Sequence, residues 1–180
     1  MKTNRRFLKF IAPIFACLVF FTFTADAQKR KPTAKKPAAE TATTAATLTA
    51  SEIRAGAEKV SVQIKNVTKF IYVLGSVARV IEDLDKEIAA GKTSRGAVDL
   101  NAKNKQSVVT TIKNLHAGLV ALEIEFRTKP ALRNYLYRIQ GISDISGNAE
   151  DQASNGQFVE SGKMLLLVVE KLADTLVAMP

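Results

Sequence analysis

Apolar residues recur every three or four positions through most of the chain beyond residue 50. From Ile53 to Ile88 they alternate steps of four and three, which keeps them on one face of a helix because 3.6 residues make one turn. Ser51 is placed to cap the start of this helix, and Gly91 is placed to end it in the left-handed conformation. The pattern therefore predicts a single first helix about 60 Å long.

The same spacing predicts three further helices. The second follows a short turn at residues 92–96 and ends before Pro130, and so short a turn makes it antiparallel to the first. Pro130 suits the first turn of a third helix, where its missing N–H costs nothing. Gly141, Gly147 and Asn155-Gly156 leave it open whether residues 141–162 form one helix, a break or a loop. A fourth helix lies between residues 157 and 179, with Ser161-Gly162 as an alternative late start.

No run of β-branched residues alternates with polar ones, so the pattern contains no strand signal. We therefore expect an all-α fold. Its specific form is an antiparallel four-helix bundle with a long first helical hairpin, formed by residues 51–180.

The first 27 residues have the three parts of a secretory signal peptide. A basic start is followed by an apolar stretch from Phe10 to Thr24 and by the small-x-small site Ala25-Asp26-Ala27. Fifteen apolar residues span about 22 Å as a helix, less than the roughly 30 Å core of a bilayer. A cleaved signal is thus favoured over an uncleaved anchor. We expect a mature chain that begins at Gln28, has no transmembrane segment and is periplasmic or secreted from a bacterial cell.

Residues 28–50 are rich in Lys, Pro, Ala and Thr and have almost nothing apolar to bury, which predicts a disordered linker. Its basic residues are candidates for binding anionic envelope material, and a flexible spacer without a partner is the alternative. These candidate envelope-binding residues are Lys29, Arg30, Lys31, Lys35 and Lys36.

The formal net charge of +9 belongs mostly to these two N-terminal segments. Residues 51–180 hold 17 basic and 15 acidic side chains and only six aromatic residues. A nucleic-acid-binding domain would need a basic face with aromatic side chains for stacking. The sequence therefore argues against a nucleic acid as partner.

Few residues carry catalytic or metal-binding chemistry. Signal cleavage removes the only cysteine, Cys17, so the mature chain has neither a disulfide nor a thiolate ligand. The only histidine, His116, lies at the edge of the apolar stripe of the second helix. Metal sites in helical bundles use a Glu-x-x-His motif on each of two helices, and residue 113 is Lys. We expect no catalytic residues, no metal and no resident cofactor.

One alternative gives His116 a function. Exported bundle cytochromes of the b type pair one His with one Met, and Met164 or Met179 is available for that role. A related alternative is a small apolar ligand lined by Phe70, Phe126 and Tyr135.

Clustered acids are interpreted as solvated helix ends. Glu82, Asp83, Asp85 and Glu87 lie near the end of the first helix, and Glu123 and Glu125 near the end of the second. Neighbouring residues point to different sides of a helix, so they are not paired catalytic carboxylates. Glu82 and Lys86 are spaced as a surface ion pair.

Two apolar runs are too long for a single buried face. In Phe70 to Leu74 at least one side chain must point outward, and Met164 to Val169 extends right round the fourth helix. The fourth helix is then either the most enclosed helix or part of a contact surface. Together these features favour an exported, non-enzymatic helical bundle of the bacterial envelope that binds an envelope protein, an anionic polymer or a second copy as a homodimer.

Overall fold

The computed structural model describes the backbone from residue 38 and the side chains from residue 47, both to residue 180. The predicted signal peptide, residues 28–37 of the predicted linker and the five candidate envelope-binding residues lie outside the described residues. The described part is all-α, with five α-helices, one short 3₁₀ helix and no strand. The elements are α1 (Ala38–Ala89), α2 (Arg95–Thr128), the 3₁₀ helix (Pro130–Tyr135), α3 (Leu136–Ile139), α4 (Ile142–Ser154) and α5 (Phe158–Ala178).

Helix α1 begins at Ala38, so the prediction that Ser51 caps it is wrong. Residues 38–50, expected to belong to a disordered linker, are helical. They contain six Ala and no Gly or Pro, and Ala has the highest intrinsic helix propensity. The described side chains at 47–52 are exposed, so this first part of α1 depends on propensity and on continuity with the buried turns after it.

The turn between α1 and α2 follows the prediction closely. Gly91 has φ +66° and ends α1 in the left-handed conformation. The N–H of Lys92 donates to the Glu87 carbonyl at 3.1 Å, and the N–H of Gly91 donates to that of Ile88 at 3.0 Å, which together satisfy the end of the helix. Ser94 then caps α2, where its hydroxyl accepts from the Ala97 N–H at 3.4 Å.

The predicted third helix is divided into three pieces. Pro130 opens a 3₁₀ helix, which passes into the single turn of α3. Gly141, with φ +87°, then separates α3 from α4. Gly147, the other position where a break was considered, lies inside α4. The alternative late start of the last helix at Ser161 is wrong, because α5 begins at Phe158.

The long helices bury their apolar faces against one another. Helix α1 packs against α2 and α5, and α4 also packs against α2 and α5. Lys59 meets Glu125 and Asp85 meets Lys105, so α1 and α2 run in opposite directions. The largest fully buried side chains are Ile81, Ile112, Leu119, Phe126, Leu132, Ile139, Ile142, Leu165 and Leu172.

Candidate functional site

His116 lies in the contact between α2 and α4. Its Nδ1 is 2.8 Å from the hydroxyl oxygen of Ser146, which is fully buried. The Ser146 hydroxyl is also 3.0 Å from the carbonyl oxygen of Ser143, and the tautomer of His116 decides which of the two neighbours receives its hydrogen. The hydrogen bond between His116 and Ser146 links α2 to α4.

The other residues of the haem and small-ligand alternatives belong to the core or to its edge. Met164 lies on α5, partly buried and packed against the core. Phe126 is fully buried, and Phe70 and Tyr135 pack around the same core. Within the described residues no three His, Cys, Asp or Glu side chains form a group that could hold a metal ion. Haem binding by His116 and Met164 stays a prediction.

Glu123 is not the solvated residue that its place near the end of α2 indicated. Only 5% of it is exposed. Its carboxylate accepts the Gly141 N–H at 3.1 Å, the Ser143 N–H at 3.0 Å and the Ser143 hydroxyl at 2.7 Å. Arg127 donates to it at 3.1 Å from one turn further along α2. The interpretation as a solvated acid is wrong, because the donors come from a segment about 20 residues away in sequence.

Hydrogen bonds lower the pKa of the Glu123 carboxyl more than burial raises it. Burial raises the pKa of Glu123, but the bonds from Ser143 and Gly141, with the charge of Arg127, bring that pKa below its ordinary value. The pKa of Glu125 is lowered in the same way, because Lys59 and Lys129 outweigh its partial burial. Both carboxylates are therefore charged at neutral pH and hold elements together.

The acids at the end of α1 are ordinary surface groups with one local contact. Asp85 accepts from Asn101 at 2.7 Å and from Lys105 at 2.8 Å. Lys86 pairs with Asp83 at 3.6 Å, so the predicted pair of Lys86 with Glu82 is wrong. The two contacts of Asp85 join α1 to α2.

One face of α1 carries exposed apolar side chains along most of its length. The four larger ones are between 40% and 62% exposed, and Ala55 is exposed as well. The spacing of 7, 7, 11 and 7 residues keeps all five positions within an arc of about 40° on a helix of 3.6 residues per turn. This outer stripe consists of Leu48, Ala55, Val62, Val73 and Val80.

The prediction for the apolar run at 70–74 is confirmed by this surface. Leu74 is buried, whereas Val73 and Tyr72 point outward and Tyr72 is 86% exposed. Val73 is a member of the outer stripe, and Tyr72 lies to one side of it. Residues 70–74 therefore contribute side chains both to the core and to the exposed surface of α1.

A groove of about 500 Å³ runs beside the stripe between α1 and α2. Small residues create it, because Gly118 and Ala121 of α2 face Ala55 of α1. A Cβ atom at Gly118 would lie only 3.2 Å from Nε2 of Gln63, which shows how closely the helices approach there. Of the three charged residues that line the groove, Lys59 and Glu125 pair with each other at 2.7 Å, and Glu58 is exposed. The groove thus offers shape and apolar surface, and no buried polar group aimed at a ligand.

Helix α5 is not enclosed on all sides. Leu165 and Val168 are buried, but Leu166 and Leu167 between them are exposed. Both alternatives for this helix therefore stay open, because one side of it packs into the core and another side is exposed. No helix of the described residues combines the length and the hydropathy needed to cross a membrane.

No protein-family model, curated protein sequence or solved structure matches the chain. The function is therefore argued from the residues themselves. The outer stripe with its groove is one apolar surface of residues 47–180 that the fold itself does not use, and the exposed side of α5 is another.

Proposed function

We propose that the protein is exported by its N-terminal signal peptide and acts outside the cytoplasm as a non-enzymatic helical binding protein. In this proposal α1, α2, α4 and α5 form an antiparallel four-helix bundle, and α3 belongs to the connection between α2 and α4. The packing of α1 and α4 against both α2 and α5 supports this arrangement. Its binding partners are macromolecules, since the candidate surface is long and open.

The observation that carries the proposal is the outer stripe of α1. Burying a Val or Leu side chain from water contributes about 1.5 to 3 kcal/mol. An aligned row of such side chains, continued by an apolar groove, is the surface that partner helices use. Scattered apolar residues would not share an arc of one helix over about nine turns.

A photoreactive amino acid at Val73 in the native host tests the proposal. The stripe predicts a covalent adduct between this chain and another polypeptide chain. The control places the same group at Arg79, which is exposed on another side of α1. Absence of an adduct at Val73, or equal adducts at both positions, would contradict an interaction through the stripe.

We also propose that the basic segment after the signal peptide contacts anionic envelope polymer or lipid. Lys29, Arg30, Lys31, Lys35 and Lys36 supply five positive charges within eight residues. Each is worth about 1 kcal/mol near an anionic surface, and salt screens this attraction. The segment would hold the bundle near the envelope while α1 presents its outer stripe.

A further inference from the structure

We infer that the partner of the outer stripe is the outer stripe of a second copy, paired antiparallel about a two-fold axis near residue 64 of α1. This inference rests on the proposed function and names its partner. A two-fold contact uses the same patch on both subunits, so the patch must complement itself. The outer stripe meets this requirement in register, in shape and in charge.

The register follows from the positions of the stripe. In an antiparallel pair centred at residue 64, position n faces position 128 minus n. Leu48 then faces Val80 of the second copy, and Ala55 faces Val73. Four of the five stripe positions therefore meet another apolar residue. Val62, the fifth, lies opposite Asn66 beside the axis, where the two helices cross.

The shape of the groove suits this register. Val73 of the second copy comes opposite Ala55, at the part of the groove where Gly118 and Ala121 form the α2 wall. Small residues at these positions leave space for a branched side chain and allow two helices to approach closely. The two-fold axis repeats the same fit on the other subunit, so both grooves are filled.

Charges on one flank of the stripe complement each other in the same register. Glu58 and Lys69 lie on the same side of the stripe, and both are exposed. Neither forms an ion pair with another described residue. Their positions add up to 127, so Glu58 of each copy faces Lys69 of the other within one residue. Antiparallel pairing thus creates two symmetric ion pairs next to the apolar contact.

The exposed face of α5 does not complement itself in this way. Its charges match when Lys163 faces Glu170 of a second copy, which fixes the centre between residues 166 and 167. Leu166 then faces Leu167 beside the axis, but Val159 faces Asp174. Self-pairing through α5 would therefore place charge against apolar surface.

The size of the stripe is sufficient for a specific dimer of moderate affinity. From residue 48 to residue 80 the helix rises about 48 Å, and with a width of about 12 Å the contact covers roughly 600 Å² per subunit. The walls of the groove on α2 add to this area. Specific interfaces bury about 800 Å² per partner.

Sedimentation equilibrium of the mature protein, from residue 28 to 180, tests the pairing. At low salt we expect a reversible dimer. Glu58→Lys alone and Lys69→Glu alone each weaken it about tenfold, because two pairs are reversed and each contributes under about 1 kcal/mol. The double variant restores the wild-type dissociation constant. Glu58 and Lys69 are exposed, so the helix content measured by circular dichroism should be the same in all these variants.

Val73→Asp should weaken the dimer on the order of 100-fold. At each of the two symmetry-related sites, the variant removes an apolar contact and buries a charge. Val159→Asp on α5 is the control and leaves the dimer unchanged. A wild-type monomer at all concentrations, or a double charge variant no better than the single ones, overturns the inference. If Val73 cross-links to a different polypeptide, self-pairing is wrong and the proposed function stands; if it gives no adduct, both are wrong.

Discussion

Oε2 of Glu123 in α2 lies 3.0 Å from the backbone nitrogen of Ser143 and 2.7 Å from its hydroxyl oxygen at the start of α4. The residue in the N-cap position of α4 is Gly141, which has no side chain to accept these hydrogen bonds. Glu123 therefore supplies from α2 the cap that α4 lacks in its own sequence. The negative charge of Glu123 also interacts favourably with the positive N-terminal end of the α4 dipole. One carboxylate thus fixes the position of α4 relative to α2.

Glu123→Gln should destabilise the fold. The amide has one acceptor oxygen, so a backbone N–H of Gly141 or Ser143 is left facing an NH₂ group. An unsatisfied buried donor costs about 1 to 3 kcal/mol. Urea unfolding of the chain from residue 28 to residue 180 measures this loss. Glu170→Gln, at an exposed position of α5, is the matched control and should change the free energy of unfolding by less than about 0.5 kcal/mol. Equal effects of both variants would contradict the capping role.

The stability of the protein should fall in acid. The pKa values of Glu123 and Glu125 are lowered in the folded state, so each carboxylate contributes stability that is fully present above its ordinary pKa of 4.5. That contribution is lost as the pH falls below 4.5 and passes through the lowered pKa of the folded state. Unfolding free energies between pH 3 and pH 7 test this, and Glu123→Gln should make the decline shallower. A free energy of unfolding that does not change with pH below 4.5 would contradict this contribution of the two carboxylates.

The two glycines near α4 should respond in opposite ways to alanine. Gly141 has φ +87°, where a Cβ atom costs about 1 to 2 kcal/mol, so Gly141→Ala should destabilise the protein. Gly147 is inside α4, and its new Cβ would lie 3.5 Å from Cε1 of His116, an ordinary contact distance. Gly147→Ala should therefore stabilise by about 0.5 to 1 kcal/mol. Thermal unfolding of both variants decides it, and a shift of the same sign in both would contradict the position of the break.

Local signals in the sequence predicted part of the fold well. The end of α1 at Gly91 and the end of α2 before Pro130 depend on residues within one turn, and both are confirmed. The outward residue in the run 70–74 follows from helix geometry alone. The start of α1 was predicted too late, because Ser51 resembles a cap although the Ala-rich segment before it is itself a good helix former.

The remaining features depend on contacts between distant residues. Gly141 and Gly147 look alike in the sequence, and the hydrogen bonds that Gly141 and Ser143 donate to Glu123 favour the first as the break. The bond between His116 and Ser146 likewise requires α2 and α4 to pack in one particular register. The groove results from small residues on two helices that meet only in the folded chain. None of these relationships has a signal in local spacing.

The exported form should begin at Gln28 and bind the envelope through its basic segment. N-terminal sequencing of the protein from the periplasm or medium tests the cleavage site. Deletion of residues 28–37 should leave the helical fold and its melting unchanged and release the protein from the envelope fraction at lower salt. Identical fractionation with and without the segment would show it to be a plain spacer, and an intact residue 1 would contradict signal cleavage.

Cross-linking with single cysteines tests most directly the claim that α1 pairs with a second copy through its outer stripe. Ala55→Cys and Val73→Cys are made in separate chains of residues 28–180, which contain no other cysteine because Cys17 lies before residue 28. In the antiparallel register, position 55 of one copy lies opposite position 73 of the other. Two copies of position 55 are about 27 Å apart along the axis, far beyond the reach of a disulfide.

Under mild oxidation the mixture of the two variants should form a disulfide-linked dimer that contains one chain of each. Each variant alone should remain largely unlinked. Efficient dimers in the separate samples, or none in the mixture, would contradict antiparallel pairing through the outer stripe.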